Sequence, residues 1–279
     1  MLDNAPSKKI RHRDLTIEGY SRAAVQTYWR VPELKMGFDL GAHPWDFMGT
    51  STWLISHTHL DHIAALPSYI ARRRLMKMEP PTIYLPEYAI PAVEQILSGF
   101  SRLDRGRLPC DLVGVVPGDE IEFSRELVID VVKTWHTVPS VGYVIHERRN
   151  KLKEEYRDCS GEEIRDLRES GVEVTAEHRL PILGYLGDSS PKGLDDNPIF
   201  YQVQVLITEL TFVAPGHRKE LIHKNGHMHI DDYLKRKDRF ENELIVAGHL
   251  STRYSPKQAR SLVEKVMPDM MDGRFHLWI

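Results

Sequence analysis

The chain has 279 residues, 41% hydrophobic and 28% charged, enough to bury the core of one large α/β domain or two small ones. A net charge of −3 gives no global footprint for nucleic acid or an anionic membrane, so any RNA contact must rest on local basic patches. Cys110 and Cys159 are too few for a disulfide scaffold, residues 1–14 are polar, and no apolar run reaches membrane-spanning length, so a soluble cytoplasmic protein without a membrane partner is expected.

In chain order, residues 31–41 read as a short strand ending in an Asp/Gly turn, and 52–56 as an apolar strand. Residues 63–77 have helical spacing with Arg72, Arg73, Arg74 and Lys77 on the later turns, and Pro80 and Pro81 stop that helix. A strand over 82–85 and a helix over 90–100 follow, then strands over 112–116, 120–123 and 127–133, with 141–145 as a hairpin partner of the last. Residues 147–180 turn polar and charge-dense, which predicts a surface excursion with one or two short helices. Buried-type strands are predicted over 182–186, 203–210 and 244–247, and a closing helix over 256–266.

Residues 57–62 read His-Thr-His-Leu-Asp-His. Three imidazoles and a carboxylate with no thiolate make the nitrogen and oxygen donor set of a catalytic zinc site that keeps a position open. A histidine-rich turn is the alternative. His57, His136, Asp188 and His249 each follow an apolar strand, and strand ends in a layered α/β architecture converge on one rim. Asp188, in Gly-Asp-Ser-Ser, could equally be a turn residue or a helix N-cap.

This order of residues resembles the ligand set of the metallo-β-lactamase superfamily. Stretches SHTHLDHIAALP (56–67), HTVPSVGY (136–143), YLGDSS (185–190), ITELTF (207–212), NGHMHI (225–230) and GHLSTRY (248–254) resemble, more narrowly, a short-form ribonuclease Z. The resemblance implies an αββα sandwich, two mixed sheets with outer helices, formed by residues 1–279 as a single domain, with 147–180 a surface insertion or reduced tRNA-binding arm. It implies two zinc ions per chain: His57, His59 and His136 on one, Asp61, His62 and His249 on the other, and Asp188 bridging. A metal-activated hydroxide, oriented by Asp61, would then attack phosphorus.

The same resemblance makes His227 the acid that protonates the leaving group and Glu209 its partner. His229 is a competitor on sequence alone. Ser251 and Arg253 follow the last ligand, where a guanidinium suits a phosphate oxygen. The implied substrate is precursor tRNA, from which a 3′ trailer is removed, and the implied assembly is a homodimer.

The chain departs from the family in three places. It lacks the Gly-rich arm with its Gly-Pro element and the Pro-x-Lys-x-Arg-Asn loop, and it carries Gly-Asp-Ser for Gly-Asp-Thr. A dizinc phosphodiesterase for small or cyclic diesters is therefore the nearest alternative. Thioester or lactone hydrolysis would not need the Glu209–His227 pair. A catalytically silent binder would show a broken ligand set.

Overall fold

The computed structural model describes residues 6–271 and 273–279, so residues 1–5 of the polar N-terminal stretch lie outside the described residues. Two seven-stranded sheets are built in chain order. The first runs β1 (Lys8–His12), β2 (Leu15–Arg22), β3 (Gln26–Val31), β4 (Met36–Leu40), β5 (Thr52–Leu54), β6 (Thr82–Pro86) and β7 (Asp111–Val115). The second holds β8 (Glu120–Glu122), β9 (Leu127–Lys133), β10 (Val141–Leu152), β11 (Thr175–Tyr185), β12 (Val205–Glu209), β13 (Leu244–Gly248) and β14 (Phe275–Leu277). Each sheet begins antiparallel and turns parallel halfway, at β4–β5 and at β11–β12.

The helices are α1 (Leu60–Ile63), α2 (Leu66–Leu75), α3 (Ile90–Leu103), α4 (Gly161–Glu169), α5 (Lys192–Asp196), α6 (Lys219–Lys224), α7 (Ile230–Leu234), α8 (Pro256–Val266) and α9 (Pro268–Met271). None is long and apolar enough to cross a membrane.

Three apolar clusters define the layers. Trp29, Phe38 and Leu54 of the first sheet meet Ile129, Tyr143 and Val246 of the second. Outside the first sheet, Trp53 and Ile83 pack on Tyr69 of α2 and Val93 of α3. Outside the second, Leu206 and Ile245 pack on Tyr233 of α7 and Val263 of α8. This is the expected αββα sandwich, and it follows from sheets that are apolar on both faces and must be covered twice.

Local structure differs from expectation in four places. The strand expected over 31–41 divides: β3 ends at Val31, a 3-10 turn intervenes, and β4 carries Asp39 at φ +53°. The helix expected over 63–77 begins at Leu60 and breaks into α1 and α2, where Pro67 takes the first turn of the second. Strands β1 to β3 and β14 were not anticipated. The stretch over 147–180 holds the expected short helices, α4 with its Ser160–Glu163 capping box and a 3-10 turn over Glu154–Tyr156, but its two ends are strand: β10 and β11 extend their ladder to the pair Leu152–Thr175. Pro181 sits where the β10–β11 register shifts, a bulge that tolerates a residue without an N–H.

Candidate metal centre

Strand ends deliver the donors. β5 runs through Ser56 into His57, His59, Asp61 and His62. His136 follows β9, Asp188 follows β11 and His249 follows β13, so all seven lie on the rim where the sheets meet. Donor atoms of His57, His59 and His136 fall within 4.8 Å of one another, and so do those of Asp61, His62 and His249. Asp188 Oδ2 lies 3.9 Å from His57 Nε2, 3.4 Å from His62 Nε2 and 3.1 Å from His249 Nε2, reaching both groups.

The imidazoles are aimed by their outer nitrogens. His62 Nδ1 meets Asp39 Oδ2 at 2.6 Å, His57 Nδ1 meets Ser56 Oγ at 3.0 Å, His136 Nδ1 meets the Gly226 carbonyl at 3.1 Å, and His249 Nδ1 meets Thr211 Oγ1 at 3.1 Å. That leaves four Nε2 atoms facing one space, and outer-shell bonds of this kind fix ring orientation and tautomer. Gly226, at φ +69°, is needed here because a Cβ would stand 2.5 Å from His136 Nδ1. His249 itself is held at φ +57°, a strained backbone of the sort that clusters at functional sites.

Asp39 was read only as a turn residue, and it does much more. Fully buried, its carboxylate accepts from Ser56 N at 2.7 Å, Ser56 Oγ at 2.8 Å and Tyr185 OH at 2.5 Å, besides facing His62. Ala24, in the β2–β3 turn, likewise escaped notice; its N–H donates to Asp61 Oδ2 at 2.9 Å. A Phe-Asp-Leu-Gly turn preceding a histidine motif was the only available signal for Asp39.

Electrostatics fit a cation. Burial keeps the His57 ring well below its ordinary pKa, and burial likewise brings His136 down to about 4, so both are neutral and ready to ligate. Burial opposes charge on His62 as well, but Asp188 and Asp39 outweigh it and hold its pKa well above the ordinary value. His57 Nε2 is buried with no hydrogen-bond partner, and His136 Nε2 stands 3.0 Å from His59 Nδ1. An orphaned buried nitrogen and two converging imidazoles are what a divalent cation would satisfy, so the residues present fit one.

Glu209 and His227 lie beside this cluster. His227 Nδ1 is 3.1 Å from Glu209 Oε1, and its ring sits 5.0 Å from that of His136 and 5.4 Å from that of His249, centroid to centroid. Glu209 is buried and fixed by Met228 N at 3.0 Å, Thr211 N at 2.9 Å and Thr211 Oγ1 at 2.6 Å. Burial resists charging His227, yet the facing carboxylate prevails and pushes its pKa up to about 9. His229 is elsewhere: buried, it bonds the Ala214 carbonyl at 2.8 Å and accepts from Asp231 N at the start of α7.

Asp61, His136, Asp188, His227 and His249 line a cavity of about 500 Å³ together with Ser251 and Arg253. The Arg253 guanidinium lies 5.9 Å from the Phe212 ring centroid, and no carboxylate pairs with it among the described residues. His59 lines it as well, while His57, His62 and Glu209 are buried behind these residues.

No family model matches the chain. It is 35% identical over 269 residues to tRNase Z TRZ1 of Arabidopsis thaliana, covering 96% of each. It is 32% identical to the chloroplastic tRNase Z TRZ2 of the same plant, over 93% of this chain and 74% of that one. Among solved structures, the metallo-β-lactamase fold protein YhfI from Bacillus subtilis superposes with a TM-score of 0.62 at 15% identity, covering 92% of both chains. The short form of human tRNase Z gives 0.54 at 15% identity, covering 86% of this chain and 87% of that one. A fold shared with such structures, together with identity above 30% along nearly the whole length, places this chain in the ribonuclease Z family of hydrolytic endoribonucleases, built on the metallo-β-lactamase fold.

Proposed function

We propose that residues 1–279 act as one domain, a zinc-dependent endoribonuclease that removes the 3′ trailer of precursor tRNA. In this reading His57, His59 and His136 would hold one zinc ion and Asp61, His62 and His249 the other, with Asp188 within reach of both groups. When bound, such a pair lowers the pKa of a shared water and offsets charge on the phosphoryl oxygens.

The chain's own groups do the rest. Asp61, anchored by the Ala24 N–H, orients the attacking water. Glu209 keeps Nδ1 of His227 occupied, which turns Nε2 towards the cavity to give its proton to the departing 3′-oxygen. The products are a 3′-hydroxyl on the tRNA and a 5′-phosphate on the trailer. Arg253 and Ser251 contact phosphate on the same wall.

The carrying observation is the buried Glu209 aligned on His227 within reach of both donor groups. An alkoxide leaving group needs that proton, whereas a thioester or lactone does not. Small phosphodiesters are the second reading, favoured by the arm, whose Arg148, Arg149 and Arg179 are all engaged with carboxylates. Incubation with precursor tRNA beside bis-p-nitrophenyl phosphate separates the two: trailer removal is expected, and fast diester cleavage with an uncut precursor would overturn it.

A homodimer belongs to the same proposal. It is supported by an apolar groove of about 640 Å³ between α1–α2 and α3, flanked by exposed Leu60, Ile96 and Phe100. Light scattering on wild type and Phe100→Glu tests it. Two free cysteines suit a reducing, cytoplasmic setting.

A further inference from the structure

A second opening adjoins the metal centre. A groove of about 650 Å³ runs past Tyr88, Val116, Pro117, Lys133 and Trp135, and shares His136 and Thr137 with the cavity that holds His227 and Arg253. Its composition differs from that of its neighbour. Tyr88, which also stands at the edge of the apolar groove between α1–α2 and α3, is 48% exposed, with its hydroxyl 2.7 Å from Thr58 Oγ1, and Val116 is 41% exposed. Two ammonium groups converge on one indole: Lys133 Nζ lies 4.1 Å and Lys192 Nζ 3.3 Å from the Trp135 ring centroid. Lys133 has no carboxylate partner among the described residues, and Lys192 reaches Asp196 only at 4.0 Å. Glu87 is the one acid in the lining, and it offers an acceptor for the exocyclic amine of a base.

Asp196 accepts from the indole N–H at 2.8 Å and offsets part of the Lys192 charge, so Lys133, in the groove lining, with Lys192 behind the same ring, leaves a net positive edge that suits an anion. Geometry then says which anion. The proton from His227 goes to the 3′-oxygen of the tRNA, so the tRNA end lies in the cavity with His227, Ser251 and Arg253. The 5′-oxygen that carries the trailer stays on phosphorus and projects to the side of the line of attack. At His136 and Thr137 the cavity adjoins the groove, whose lining includes none of His227, Ser251 and Arg253.

We propose that this groove binds the first nucleotides of a single-stranded RNA trailer, Tyr88 stacking on the first base and Lys133 with Lys192 holding the next phosphate. The assignment rests on the endoribonuclease reading given above. An aromatic face beside a cationic track is how proteins hold single-stranded nucleic acid without reading its sequence.

The test uses a precursor tRNA whose first trailer nucleotide lacks its base. Wild type should cleave it about 10-fold less efficiently in kcat/KM than the intact precursor, the worth of one stacked base. In Tyr88→Ala this penalty should fall below about twofold, and in Tyr88→Phe it should persist. Separately, fluorescence anisotropy with a short 5′-phosphorylated RNA oligonucleotide should show about 10-fold weaker binding and a shallower salt dependence for Lys133→Gln/Lys192→Gln. The same abasic penalty in wild type and Tyr88→Ala, or undiminished oligonucleotide binding by the double variant, would overturn the groove. Failure of wild type to cut any precursor would overturn the tRNA reading instead, and the anisotropy measurement would still decide the groove.

Discussion

The candidate metal centre and the β10–β11 arm are both dense in titratable groups, and they are built on opposite principles. In the centre, side chains from both sheets are buried or half-buried, the outer nitrogens of His57, His62, His136 and His249 are each tied to a fixed partner, and their inner nitrogens are left facing one another. In the arm, Arg148 meets Glu122 and Glu177, Arg179 meets Glu120 and Glu177, and Arg149 meets Glu147. Those pairs satisfy one another in solvent and leave little charge unspent. The lesson is that concentrated charge signals function where the fold withholds partners, not where it supplies them.

The largest effect should come from breaking the centre at the carboxylate that spans both donor groups. Asp188→Ala should lower metal content by elemental analysis and cut turnover by more than the ~10²–10⁴-fold that one acid-base group is worth. Full activity with two metals still bound would refute the shared role.

Next in size is His227→Ala, which should lower turnover on precursor tRNA by about 10²- to 10⁴-fold while the metals stay bound. Its loss on bis-p-nitrophenyl phosphate should be much smaller, because p-nitrophenolate leaves without a proton. Equal losses on both substrates would remove the acid role. The pH profile sharpens this. Glu209 raises the His227 pKa, so the proton is held at neutral pH and lost as pH rises through the raised value. Glu209→Gln should therefore move the basic limb of kcat to lower pH.

Asp39→Asn leaves every direct donor in place and removes the charge behind His62. Metal affinity by calorimetry should fall by about 10- to 100-fold, the usual cost of an outer-shell change. The smallest effect belongs to the arm, where Arg148→Ala should leave the melting temperature almost unchanged. A clear drop would mean that the arm's ion pairs brace the sandwich.

These regions also differed in how well the sequence announced them. Four candidate donors fall within six consecutive residues and the other three each follow an apolar strand, so local pattern singled them out, while their grouping into two sets came from the family resemblance. The partners behind the rings could not be found that way. Asp39, Gly226 and the Ala24 N–H are supplied by segments distant in sequence, and their residue types are common in ordinary turns. His227 and His229 were inseparable in sequence because they sit two residues apart, and only packing shows that the second serves α7.

Strand β2 was missed for a different reason: its alternation fades where Gly19 and Ser21 replace large apolar side chains on the inward face. In the arm, the distal parts of β10 and β11 are largely solvent-exposed, so no alternation exists to be read and cross-strand charges hold the ladder instead.

The rim position of the donors carries one more consequence. His57, His59, Asp61 and His62 come from the N-terminal sheet, while His136, Asp188 and His249 come from the C-terminal one. Each of these two clusters of three, His57–His59–His136 and Asp61–His62–His249, therefore recruits from both halves. A cation seated there would work as a rivet across the seam, so chelation should loosen the whole molecule as well as silence it, with the melting temperature climbing as free metal is restored.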